Sequence, residues 1–194
     1  MGHFLDRAEL TRLFGEIDRR LEPTPDPTVL VVVGGAALAF LSDVRATRDV
    51  DHVSDDVPEA VRRAVVAVAE AEGLAPDWLN NAAKGFTPRR SPEPMTTLFA
   101  GQALIIKSCS PEYLLAMKLF AARELDLDDT VLLMSKTSLA TATELLDLVE
   151  TAYQPRPIET KVQYFIAEAV HRYELTHPTP SHEPDEPDGP DLEL

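Results

Sequence analysis

Asp49-Val50-Asp51 is the stretch of this chain with the clearest capacity for chemistry. Residues two apart on a strand point to one face, at a Cα separation of roughly 6.5 to 7 Å. Two carboxylates placed that way repel each other, and one holds its proton more tightly unless a cation lies between them. Mg2+ suits such a pair, because it takes one or two carboxylates and completes its shell with substrate phosphates and water. A solvated edge strand could carry the same residues to no chemical purpose, so the pair has to be weighed with its neighbours.

Upstream, Gly34-Gly35 follows the aliphatic run Val29 to Val33 and precedes the Ala-rich segment Ala36 to Leu41. Glycine at a strand-to-helix turn permits positive φ and lets a ligand approach the backbone. The helix that follows aims free N–H groups and a positive dipole end at an anion. Close packing of helix on strand would favour the same two glycines. One turn, a short helix and a return separate Gly35 from Asp49, so glycines and carboxylates can meet in one pocket. Arg45, Thr47 and Arg48 lie just before the pair and would bring positive charge and a hydroxyl to a triphosphate. Together these features predict a phosphate cradle beside a divalent-metal site, the apparatus of phosphoryl or nucleotidyl transfer.

Further on, Lys118 sits in a helical pattern with Leu114 one turn before it and Ala121-Ala122 one turn after. Its stem can lie along apolar surface with the ammonium in a cleft, or it can simply snorkel to solvent. Asp126 and Asp129 stand at the spacing of a helix cap and a first-turn acid. Arg123 is expected to pair with Glu124 or Asp126. His52 alternates to the strand face opposite the aspartates, which makes it an unlikely ligand. No other His or Cys has metal-ligand spacing, and no nucleophile elbow is present.

The segment VVVGGAALAFLSDVRATRDVDHVSDD resembles the first motif of the polymerase-β-like nucleotidyltransferases, where a Gly-Gly or Gly-Ser turn precedes an Asp-x-Asp or Asp-x-Glu pair. With Gly-Gly-x-Ala-Leu and Arg-x-Thr-x-Asp-x-Asp it is most similar to the small bacterial group that includes the AbiEii-type abortive-infection toxins and the MenT-type toxins. SPEYLLAMKLFAARELDLDDTVLL resembles that group's second block, and the likeness spans about residues 28 to 135. It implies Mg2+-dependent transfer of a nucleoside monophosphate from an NTP to an RNA such as tRNA, a protein or a small molecule, and a cognate antitoxin as partner. By this resemblance Gly34 and Gly35 would hold phosphate and Asp49 and Asp51 would bind metal, with Thr47 and Arg48, from their position before the pair, as further nucleotide contacts. Lys118 would contact the triphosphate, and Asp129 or Asp126 would complete the site. The third carboxylate that such enzymes carry on a later strand has no counterpart between Leu98 and Lys107. That departure keeps a second reading open: a catalytically inactive nucleotide-binding or protein-interaction module with the same fold.

The elements that must position these residues follow from periodicity. Leu10, Leu13, Phe14, Ile17 and Leu21 predict an amphipathic helix from about residue 6 to 21, closed by Pro23, Pro25 and Pro27. Strands are expected at 29–33 and 49–53, a helix at 58–72, and a long polar loop from 78 to 94. A hairpin around Gly101-Gln102 would precede helices at about 110–124, 129–134, 138–151 and 158–173. The predicted class is α+β, a small mixed sheet flanked by helices with a helical C-terminal half. Its expected parts are an N-terminal helix and connector (1–27), an α/β core (28–109), the helical half (110–175) and an acidic tail (176–194) with too little apolar surface to fold.

The formal net charge is −15 over 194 residues, and six of the acids lie between Glu183 and the C-terminus. The rest of the chain is still strongly acidic, which argues against an extended nucleic-acid groove but leaves room for a small basic pocket. The one cysteine, Cys109, is flanked by apolar residues and reads as a buried structural thiol; it fits a reducing cytosol. With no secretory block and no membrane-length apolar run, a cytoplasmic protein that binds no membrane is expected.

Overall fold

A computed structural model describes residues 4–42, 46–88 and 93–178; Arg45 and the acidic stretch from Glu183 lie outside them. Strands β1 (Thr28–Val33), β2 (Val50–His52), β3 (Leu79–Asn80), β4 (Thr96–Ala100) and β5 (Leu104–Ser108) form one mixed sheet in the order β3-β2-β1-β5-β4. β1 runs parallel to β5 and antiparallel to β2, β2 is parallel to β3, and β4 and β5 are antiparallel. Helix α2 (Gly34–Leu41) leaves directly from the end of β1. The α+β class read from the sequence is the one observed.

Two apolar cores sandwich this sheet. Helices α1 (Arg7–Asp18) and α3 (Glu59–Glu72) cover one face, where Leu10, Phe14 and Ile17 meet Leu30, Val32, Leu104 and Ile106. The helical half covers the other: α4 (Pro111–Ala121), α5 (Leu127–Met134), α6 (Ala142–Tyr153) and α7 (Thr160–Thr176) pack around Leu115, Leu119, Leu133 and Val149, with Val33 at the sheet end. Fully burying a side chain such as Phe14 or Leu30 stabilises by about 1.5–3 kcal/mol. Alternation then settles β2: Val50 and His52 are buried on the α1/α3 side, and Asp51 points toward the helical half.

Several boundaries differ from expectation for identifiable reasons. α1 starts one residue after its cap, Asp6, whose carboxylate accepts from the Glu9 amide at 2.9 Å. It stops at Asp18 because that side chain is held by the β4–β5 turn, accepting from the amides of Gln102, Ala103 and Leu104 at 3.1, 2.8 and 2.9 Å. β2 is shorter than expected, and Asp49 lies in a bend just before it. α4 begins on the Ser110 cap and Pro111 as predicted, but ends three residues early at Ala121, capped by Ala122, whose φ is +46°.

The stretch 78–94 is not simply a loop. Trp78 is 1% exposed and donates its indole N–H to the Val65 carbonyl at 3.3 Å. β3 follows it and extends the sheet, and a 3-10 turn, Ala82–Phe86, comes next. No helix among the described residues is long and apolar enough to cross a membrane.

Candidate active site

A cleft of about 230 Å3 opens between the end of β1, β2, the Ala82–Phe86 turn and the C-terminal end of α4. Gly34, Asp49, Asp51, Phe86, Lys118, Arg123 and Asp126 all line it. Gly34 has φ +63°, a conformation open mainly to glycine, and it presents bare backbone to Asp51. A Cβ there would stand 3.2 Å from Asp51 Oδ2. Gly35 faces Thr47 instead: a Cβ on it would fall 2.6 Å from Thr47 Oγ1, an overlap that backbone and neighbour could not absorb without shifting. Each glycine of the pair is therefore matched to one residue of the returning segment.

Thr47 is held by a short bridge to Leu5, with Leu5 N–H to Thr47 O at 2.7 Å and the reciprocal bond at 3.0 Å. Its hydroxyl donates to the Asp49 carbonyl at 3.0 Å and lies 3.4 Å from Asp49 Oδ1. Thr47 thus fixes the bend that carries Asp49 and does not line the cleft. Arg48 also turns outward, its guanidinium 5.0 Å from the Phe4 ring centroid.

Asp51 carries the electrostatic signature of the site. Burial pushes its pKa above the ordinary value, and the charge of Asp49 raises it further; Lys118, Arg123 and the Ala83 amide pull the other way. An excess of negative charge in a partly desolvated cleft is what a divalent cation would relieve. Asp49 and Asp51 fit Mg2+ on this ground, with phosphates and water as the remaining ligands. Among the described residues no group of three or more His, Cys, Asp or Glu side chains is placed to hold a metal ion by itself.

Lys118 does not stand free. Its ammonium lies 2.5 Å from Asp126 Oδ1 and 3.0 Å from Asp129 Oδ2, with the three side chains 15%, 6% and 18% exposed. Asp126 occupies the cap position of α5 without making a capping hydrogen bond, so the cap role expected from its spacing is replaced by this ion pair. Of these two carboxylates Asp126 lines the cleft, and Asp129 adjoins it through Lys118. Asp126 reaches the cleft from a 3-10 turn, Glu124–Asp126, not from the hairpin strands.

Sequence reasoning missed one wall and one cation. Ala82, Ala83 and Phe86 come from the stretch read as loop, and an aromatic residue within a polar run, Phe86, was the signal available. Arg123 pairs with neither Glu124 nor Asp126; its guanidinium lies 4.8 Å from the Phe86 ring centroid. His52 faces away from the cleft as expected, buried with Nδ1 lacking a hydrogen-bond partner. Cys109 is 3% exposed and burial lifts its thiol pKa to about 12, which makes it an inert core residue.

A mixed sheet with a glycine turn packed against an Asp-x-Asp pair, opposed by a helical half, defines a nucleotidyltransferase-type protein. The sequence agrees: a family model matches residues 8–169, and the chain belongs to that family, described as a nucleotidyltransferase of unknown function (DUF6036). No curated protein and no solved structure matches it.

Proposed function

We propose that this chain is a Mg2+-dependent nucleotidyltransferase that moves a nucleoside monophosphate from an NTP to an RNA, protein or small-molecule hydroxyl. The observation that carries the proposal is the contact between Gly34 and Asp51: bare backbone at positive φ lies beside a half-buried carboxylate whose proton affinity is raised. Such a pairing brings phosphate-binding backbone and metal-binding carboxylates within one nucleotide's reach.

In the proposed reaction the acceptor oxygen bonds to the α-phosphorus, the bond from that phosphorus to the bridging β-oxygen breaks, and pyrophosphate leaves. The acceptor proton passes to solvent. Asp49 and Asp51 would hold the cation, which when bound would neutralise triphosphate charge. Gly34 gives the phosphates room, and Thr47 keeps Asp49 oriented through its bend. Lys118 secures Asp126 on the opposite wall.

The test is incubation with each of the four α-labelled NTPs, Mg2+ and separate RNA, protein and small-molecule fractions. Label should move to one fraction with parent protein and not with Asp51→Asn. Absence of transfer from every NTP, or undiminished transfer by the variant, overturns the proposal. The toxin role suggested by the sequence resemblance rests on the same transfer: expression should arrest growth, and Asp51→Asn should not.

A further inference from the structure

Among the described residues two cations line the cleft, Lys118 and Arg123, and the structure treats them differently. Lys118 is enclosed and holds two carboxylates, so it brings no spare positive charge to an incoming anion. A triphosphate could recruit it only by displacing Asp126 or Asp129 and leaving an uncompensated charge inside the protein, a costly exchange. Arg123 is the opposite case. Among the described residues it has no ion pair, and its guanidinium rests on the face of Phe86 at 4.8 Å from the centroid.

Local backbone puts it there. α4 ends at Ala121, and Ala122 adopts a left-handed conformation (φ +46°) while its amide bonds to the Lys118 carbonyl at 3.0 Å. The next residue, Arg123, is extended at φ −99°, ψ 131°, and its side chain lines the cleft against Phe86. Phe86 is a fixed platform: the Tyr153 hydroxyl donates to the Phe86 carbonyl at 2.5 Å, and the Tyr153 ring stacks on Phe120 at 3.8 Å. A guanidinium that rests on an aromatic face, and that among the described residues feels the Asp51 charge without forming an ion pair with it, is weakly retained and strongly drawn to phosphate, which it can grip with two parallel N–H donors.

We infer that Arg123 is the side chain that grips the β- and γ-phosphates of the bound nucleotide, and that Lys118 is a positioning residue which holds Asp126 on the cleft wall. Resting on the function proposed above, this assignment gives the site a cation whose contact with the Phe86 face can be exchanged for the triphosphate. It also sets the ligand preference: the site should distinguish a nucleoside triphosphate from the corresponding monophosphate chiefly through Arg123.

The experiment is isothermal titration with NTP, NMP and inorganic triphosphate, all with Mg2+, on the parent, Arg123→Ala, Arg123→Lys and Lys118→Met. Arg123→Ala should weaken NTP and inorganic triphosphate by about ten-fold or more, leave NMP unchanged, and keep the parent melting temperature; Arg123→Lys should recover part of the loss. Steady-state transfer adds the second readout. Lys118→Met should lose kcat and keep KM within about two-fold, whereas Arg123→Ala should raise KM. Where Lys118→Met does not fold, the two Arg123 variants decide. Parent-like triphosphate affinity in a folded Arg123→Ala protein overturns the inference while leaving the transferase reading intact. Failure of the parent to bind any NTP overturns both.

Discussion

Gly34 and Asp51 are in direct apposition: a methyl group on the glycine would lie 3.2 Å from the aspartate's Oδ2, on a residue whose φ is +63°. Gly34→Ala therefore combines left-handed backbone strain with intrusion into the cleft. The expected destabilisation is about 1–2 kcal/mol. Transfer should fall far more than stability, because the methyl occupies the approach to the carboxylate. A thermal melt and a transfer assay on one preparation check this. A folded Gly34→Ala protein with full transfer would remove the glycine from the site.

Asp51 ties function and stability together with opposite signs. Burial and Asp49 hold its folded pKa above the ordinary 3.8. A raised folded pKa adds stability below pH 3.8, and that contribution is lost as pH rises through the folded value. At neutral pH the ionised carboxylate is thus a cost to the metal-free fold, and Asp51→Asn should melt higher than the parent. Mg2+ with NTP should raise the parent's melting temperature and leave the variant's unchanged. Transfer by Asp51→Asn or Asp49→Ala should drop by about 10²–10³. A lower melting temperature for Asp51→Asn at pH 7 would contradict the electrostatic account.

His52 gives a pH dependence of its own on the other face of the sheet. Burial, with a smaller contribution from Lys84, holds its pKa below the ordinary 6.5. The unfolded chain takes up a proton there first, so stability should fall as pH drops below 6.5 and level off beneath the folded value. His52→Phe removes both the titration and the unpartnered Nδ1. Urea unfolding between about pH 5 and 8 should show the variant gaining on the parent as pH falls. A pH-independent difference between the two would refute the linkage.

Asp18 provides a structural control remote from the chemistry. Its carboxylate accepts three amide hydrogen bonds from the β4–β5 turn and sits where a Cβ on Gly101 would collide with it. Asp18→Ala strands partly buried donors at Ala103 and Leu104, a loss of about 1–3 kcal/mol. Gly101→Ala should destabilise through the same strap. Both variants should retain the parent's KM for NTP, and a KM change matching that of Arg123→Ala would mean that the turn communicates with the cleft.

Much of the architecture was written in local pattern. The Val29–Val33 run, the Ser110-Pro111 start and the apolar stripe of the last helix each encode an element by near-neighbour spacing. The Asp49/Asp51 pair and the Gly34 turn were legible for the same reason, since their types and short separation suffice to suggest a shared pocket. Tertiary structure decided the rest. Trp78 and the two residues after it became a core residue and an edge strand only because β2 offered a parallel partner, a contact no local period announces. The separate fates of Lys118 and Arg123 also lay beyond spacing. A left-handed residue at Ala122 ends the helix, brings Asp126 and Asp129 onto the lysine, and leaves the arginine on Phe86. Helical periodicity fixes which face a side chain occupies, but the partner it meets there comes from outside its own helix, from the following turn and helix for Lys118 and from the Ala82–Phe86 turn for Arg123, and only folding brings those together.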